Sequence, residues 1–243
     1  MSHNHWDHNW EKDIKPDYHP ELIKIIEKHA KGKRVLELGF GTGGDLITLA
    51  KKGYICFGIE ASTVAYEHSI NKFPKRIKTV FGNAEKLPWE TNSFDIIYHQ
   101  GVLEHFKKPE RFLEEQVRVL SSKGILVIDV PHKWNIYTIY KNLLYFGGRW
   151  YGGWERSFSD KELREIVKDY NLIPIKTYYR GIYPHRWGKF LFPEKIIRRR
   201  WAMKLLKTPP VSWTHSLARR LYDKSKLIQV VSSYNIIIVL KKK

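Results

Sequence analysis

Residues 35–44 read Val35-Leu36-Glu37-Leu38-Gly39-Phe40-Gly41-Thr42-Gly43-Gly44. A short apolar run ends in a glycine cluster, and a helical pattern through Leu46, Leu49 and Ala50 follows. Glycine has no Cβ, so the chain turns tightly there and its backbone approaches a ligand closely. A ligand bound by such a turn lies at the carboxyl end of a sheet, beside a helix N-terminus. Gly39, Gly41 and Gly44 satisfy the dinucleotide spacing G-x-G-x-x-G, with Glu60 about 20 residues on. That spacing keeps an NAD(P)-dependent oxidoreductase open as one reading. Against it stands Glu37, two residues before the first glycine, where a dinucleotide strand carries an apolar residue.

Working outward, the periodicity predicts a helix over 20–31 and strands over 34–38, 54–60, 77–81, 94–99 and 124–130. Helical patterns separate several of them, at 64–71 and at 110–120 with Phe112, Leu113, Val117 and Leu120 on one face. Ser159-Asp160-Lys161-Glu162 opens another helix with a capping box, expected to reach Tyr170. Strands at 172–179 and 234–240 follow. Alternation of this kind implies a mostly parallel, Rossmann-like sheet of seven strands with helices on both faces. Residues 132–157 are aromatic and glycine-rich, and 181–233 are basic and aromatic. Three segments are expected: an N-terminal helical cap at 1–31, a cofactor domain at 32–180 and 234–243, and a basic helical insertion at 181–233.

Two further stretches complete a pattern. After the third strand come Gly82-Asn83-Ala84-Glu85, and after the fourth His99-Gln100-Gly101-Val102-Leu103-Glu104-His105. In this order and spacing the chain resembles the class I S-adenosylmethionine-dependent methyltransferases, and among them the small-molecule group with the quinone-biosynthesis O-methyltransferases. The resemblance covers residues 32–131 and, loosely, the last two strands. It implies that Glu37, Gly39, Gly41 and Gly43 line the methionine part of S-adenosyl-L-methionine. Glu60 matches the acid that holds the ribose hydroxyls. Asn83 and Ala84 match the adenine-edge pair, where Asp-Ala is commoner, and Gln100 falls against the methionine end.

A methyl donor of this kind is already electrophilic, so the protein must position a nucleophile and exclude water. An oxygen nucleophile must also lose a proton, and histidine titrates in the right range. His132, His105 and His99 fall near the strand ends and are the candidate bases, in that order. No metal is expected. His3-Asn4-His5-Trp6-Asp7-His8 spells a metallohydrolase-like H-x-H-x-D-H, yet no strand precedes it.

The chain has 243 residues and a mean hydropathy of −0.46, with 42% hydrophobic and 28% charged residues. Such a composition builds a core and excludes a disordered or fibrous chain. The single cysteine, Cys56, excludes an internal disulfide and a cysteine-based zinc cage. No apolar run spans a bilayer, and a cytoplasmic protein is expected. The net charge of +18 is unevenly placed. Residues 1–131 hold 19 Lys and Arg against 18 acids, and 132–243 hold 24 against 7. The second half is built to meet something negative. Its tryptophans and arginines, with Arg198-Arg199-Arg200 inside an apparent amphipathic helix, suit an anionic membrane surface and a small or lipid-linked acceptor. A methyltransferase acting on RNA is the other reading of the same charge.

Overall fold

The computed structural model describes residues 18–147, 154–182, 225, 229–230 and 233–243. The histidine-rich start, most of the 181–233 segment with its expected helices, and the tryptophans at 150, 201 and 213 lie outside the described residues.

α1 (Pro20–His29) begins with proline at its first turn, where the missing N–H costs nothing, and buries Leu22, Ile23 and Ile26. β1 (Arg34–Leu38) is buried along four of its five residues, as a central parallel strand must be. α2 (Gly44–Lys51), β2 (Ile55–Glu60), α3 (Thr63–Ile70), β3 (Ile77–Phe81) and β4 (Phe94–Gln100) follow. Then come a single 3-10 turn (Leu103–His105), α4 (Glu110–Val119), β5 (Leu120–Pro131), α5 (Ile136–Phe146), α6 (Asp160–Val167), β6 (Leu172–Ile182) and β7 (Ser233–Lys242).

The strands form one sheet in the order β3-β2-β1-β4-β5-β7-β6. Pairs β3–β2, β2–β1, β1–β4 and β4–β5 are parallel. β7 runs against both neighbours. Near its start, the His132 N–H donates to the Tyr234 carbonyl, and the Tyr234 ring crowds Gly181. Near its far end, the Lys242 ammonium donates to the Leu120 carbonyl and the Lys243 N–H to that of Asn171. The chain thus forms the seven-stranded, mostly parallel Rossmann-like sheet.

Most expected elements stand within two residues of their predicted bounds, with four differences, one being that β6 runs on to Ile182 rather than ending at Tyr179. β5 begins at Leu120 rather than Gly124, with a break in register opposite Phe94–Ile96. α6 ends its α-helical turns at Val167 rather than Tyr170, although its capping box is complete. Residues 136–146, read only as aromatic, form a helix, because apolar residues occur there at every phase and leave no period to detect.

The chain divides into two compact units. The first comprises Met1–Val130, Tyr151–Tyr178 and Ile237–Lys243, and the second Pro131–Trp150 and Tyr179–Ile236. The second thus takes in 131–150, which the sequence reading kept with the cofactor domain. In the first unit, Val35, Leu46, Leu49, Cys56, Ile96, Tyr98, Val127 and Ile237 pack with the buried residues of α1 in one core.

Candidate active site

β1 lies between β2 and β4, so the chain leaves it in one direction across the sheet and later resumes on the other side. Crevices at the carboxyl ends of such strands are where open α/β sheets bind ligands. The turn after β1 fills that place. Gly39, Gly41 and Gly43 have φ of +68°, +51° and +70°, which side-chain-bearing residues seldom adopt. A Cβ on Gly39 would also lie 2.8 Å from a methyl of Val102, so the glycine turn packs directly on the Val102-Leu103-Glu104-His105 segment.

Glu60 organises the turn. Its carboxylate accepts hydrogen bonds from the amides of Gly41 (2.8 Å), Ala61 (2.9 Å) and Ser62 (2.9 Å). These three bonds tie the glycine turn and the start of α3 to the end of β2. The Glu60 carbonyl accepts from Gly82 at 2.9 Å, which fixes the exit of β3 beside that of β2. Asn83 is exposed and folds onto its own loop: its amide oxygen accepts from the Glu85 N–H at 2.9 Å. Ala84 beside it is half-buried.

Glu37 is the most strained group. It is 6% exposed, and one carboxylate oxygen makes no hydrogen bond among the described residues. Burial drives its pKa well above the usual carboxylate range, Asp45 and Glu60 push the same way, and the Tyr98 hydroxyl opposes them. Tyr98 is buried as well, and burial with the nearby Glu37 charge raises its phenol. Asp45, in the first turn of α2, is held from the other side. Its carboxylate accepts the His19 N–H at 2.7 Å and meets the His19 ring Nδ1 at 2.8 Å. Three carboxyl groups thus converge behind the glycine turn. Gln100 lies on β4, the strand paired with β1, and its side-chain oxygen is likewise buried without a partner among the described residues.

The three histidines differ sharply. His99 is wholly buried in β4 against Phe112 of α4, with ring centroids 5.1 Å apart. Burial alone lowers its pKa to about 3, so it is a neutral core imidazole. His105 is half-exposed on the 3-10 turn, its N–H bonded to the Val102 carbonyl. His132 belongs to the second unit. It is buried against Tyr179, and burial lowers its pKa while backbone groups of Ser233 and Val230 act in the opposite direction.

Sequence reasoning missed Asp45 and Asp129. Asp129 is buried at the end of β5, and its carbonyl accepts the Gly101 N–H at 3.0 Å. Gly101, at φ +69°, turns the chain just after Gln100. The one available signal was an acid near the carboxyl end of a strand that neighbours β4.

S-adenosylmethionine fits these residues. It carries a sulfonium and an ammonium, and a buried, unsatisfied Glu37 whose acidic neighbours repel its charge gains by receiving a cation. The backbone turn admits the ligand without Cβ clashes.

Comparison with known proteins agrees. Residues 36–128 match the family model described as a methyltransferase domain. A Mycobacterium tuberculosis protein described as a probable S-adenosylmethionine-dependent methyltransferase is 28% identical over 117 residues, 47% of this chain and 42% of its own length. The chain therefore spans less than half of that relative. The sarcosine/dimethylglycine N-methyltransferase of Aphanothece halophytica is 25% identical over 199 residues, 72% of each chain. Among solved structures, the Haemonchus contortus phosphoethanolamine N-methyltransferase 2, bound to S-adenosylhomocysteine, superposes with a TM-score of 0.60. At 19% identity, covering 99% of this chain and 57% of that one, it shows the shared fold. With the glycine turn, its acids and the strand order, these matches identify residues 36–128 as a methyltransferase domain of the class I S-adenosylmethionine-dependent type.

Proposed function

We propose that this protein transfers a methyl group from S-adenosylmethionine to a small-molecule acceptor. The observation that carries the reading is the set of buried carboxyl groups, Glu37, Asp45 and Glu60, gathered behind a left-handed glycine turn at the carboxyl end of β1. When bound, the cofactor supplies a sulfonium methyl that needs no further activation. The chain's own residues then bind, orient and exclude water. Glu37 offers its charge to the cationic end, with Gln100 beside it on the neighbouring strand. Gly39, Gly41 and Gly43 provide close backbone approach. Glu60 holds the turn and a ribose hydroxyl, and the Asn83–Ala84 loop faces the adenine edge.

For the acceptor atom we propose oxygen, with His132 or His105 taking its proton. A buried imidazole with a lowered pKa is neutral at physiological pH and has a lone pair to offer. His99 is less suited, with its ring enclosed against Phe112. Nitrogen is the second reading, favoured by the similarity to the N-methyltransferases of Aphanothece and Haemonchus. We further propose a lipid-linked acceptor reached at an anionic membrane surface, supported by the basic excess of 132–243.

Thermal denaturation with S-adenosylhomocysteine, NAD and NADP tests the core of this reading. S-adenosylhomocysteine at 100 times its Kd adds about 2.7 kcal/mol of stability, and the nicotinamide cofactors add none. Glu60→Ala weakens S-adenosylmethionine binding about 10–100-fold, the loss of roughly 1.5–3 kcal/mol of charged hydrogen bonding. Stabilisation by NAD instead, or unchanged affinity in the variant, refutes it.

A further inference from the structure

Among its described side chains, α5 buries polar groups and exposes apolar ones. Its residues, Ile136–Phe146, read IYTIYKNLLYF, with Lys141 as the one charged side chain. An ordinary surface helix buries an apolar stripe and exposes its polar residues. Here Thr138 and Lys141 are each 3% exposed, while Ile139 is 60% and Phe146 86% exposed. Ile139, Asn142 and Phe146 are spaced i, i+3, i+7 and share one exposed face. Tyr145 lies on the other side of the helix, in phase with Thr138 and Lys141, and Trp134 (61%) stands just before the helix.

Hydrogen bonds fix this orientation. Asn135, itself buried, caps the helix: its side-chain oxygen accepts the Thr138 N–H at 2.8 Å. The Thr138 hydroxyl and the Asn135 amide both donate to the His132 carbonyl. Rolling the helix to hide Ile139 and Phe146 would break these bonds inside the unit, where an unmade hydrogen bond is costly.

Charge identifies what meets the exposed face. Residues 131–150 contain Lys133, Arg149 and the buried Lys141, and no carboxylate. The Lys133 ammonium lies 5.5 Å from the centroid of the Trp134 ring, beside the apolar face. The second unit as a whole carries 16 Lys and Arg against two acids. Two such surfaces repel each other, which disfavours a second copy. Among the described side chains of the stripe, Asn142 alone offers a hydrogen bond to a protein partner. Isoleucine and phenylalanine on the face, tryptophan at its N-terminal end and lysine beside the tryptophan are the chemistry of an interfacial helix.

We propose that the face of α5 bearing Ile139 and Phe146, with Trp134 just before it, docks on an anionic lipid bilayer. This surface rests in part on the membrane reading above, from which it takes the charge, and adds an apolar anchor outside the 181–233 segment.

Co-sedimentation of the full chain with phosphatidylcholine vesicles, with and without phosphatidylserine, tests it. The wild-type protein sediments with the phosphatidylserine vesicles. The double variant Ile139→Ser/Phe146→Ser, whose substitutions fall on exposed positions, partitions at least about 10-fold more weakly, since each lost side chain removes apolar burial. Lys133→Gln weakens anionic binding about fivefold, one well-placed charge. Stabilisation by S-adenosylhomocysteine is unchanged in both, which shows that the variants are folded and reads the methyltransferase assignment separately. If the double variant binds as the wild type does while Arg198→Ser/Arg199→Ser/Arg200→Ser does not, the α5 anchor is overturned and the membrane reading stands. If the wild type binds neither vesicle at low salt, both are overturned. A wild-type dimer that the double variant dissociates assigns the face to a second copy and overturns the proposal.

Discussion

Glu37 shows what a binding site costs the chain that carries it. Its carboxyl is buried beside Asp45 and Glu60, and burial holds its pKa well above 4.5. A carboxyl with a raised folded pKa contributes stability below its unfolded pKa and loses it as pH rises through the folded value. At neutral and alkaline pH, Glu37 therefore works against the ligand-free fold. A bound cation favours the ionised form, so binding expels the proton. S-adenosylmethionine affinity should rise with pH from 4.5 upward until Glu37 ionises in the free protein. Glu37→Gln should bind about 10–100-fold more weakly at the alkaline end, having lost a charged interaction. It should also lack that pH slope and melt higher without ligand. Calorimetric titration across pH checks it, and an unaltered slope in the variant would remove Glu37 from the cation's surroundings. Glu37 and Glu60 were legible in the sequence because each ends or nearly ends a strand, where a carboxylate needs a reason. Asp45 was not, because an acid in a helix's first turn is ordinary dipole chemistry. His99 looked equivalent to His105 and His132 until the packing against Phe112 set it apart.

At the scale of elements, the N-terminal end of α1 is tied to the site through His19. His19 precedes the helix and meets the Asp45 carboxylate with both its backbone N–H and its ring. The Asp45 that raises the Glu37 pKa is thus also the tether of α1. Asp45→Ala removes both bonds and should cost about 1.5–3 kcal/mol, as for hydrogen bonds to a charged group. His19→Ala removes only the ring contact and should cost less. Urea unfolding of the two variants and their double should show a coupling of about 0.5–3 kcal/mol, while additive costs would mean that the ring contact contributes nothing. The parallel strands of the sheet and the helices between them were readable because each apolar run met a turn signal. The order of β7 and β6 was not. Edge and interior strands with similar apolar content pair by tertiary contacts such as Lys242 with Leu120, which no local pattern encodes.

For the whole molecule, histidines govern the acid limb of stability. His99 titrates at about 3 in the fold and at 6.5 when exposed, so the unfolded chain binds a proton that the native one refuses. His29 and His132 are lowered as well, by burial first. A depressed folded pKa gives stability that is present above 6.5 and lost as pH falls towards the folded value. Each refused proton steepens the limb by about 1.4 kcal/mol per pH unit. Between pH 6 and 4 the unfolding free energy should therefore fall with pH, and His99→Leu should flatten it by about one proton. Urea titrations at several pH values would show this, and a variant as acid-sensitive as the wild type would contradict it.

The strand order carries a consequence in time. β7 follows β6 in the chain yet lies between β6 and β5. While the chain is being synthesised, β5 and then β6 emerge with no shared partner, and the edge of β5 stays open until β7 arrives. β7 then closes both edges at once, and the buried run Ile236–Leu240 enters the core with it. Until that moment an apolar edge is available to other chains, so the nascent protein is most vulnerable to aggregation and most in need of a chaperone just before its seventh strand is made.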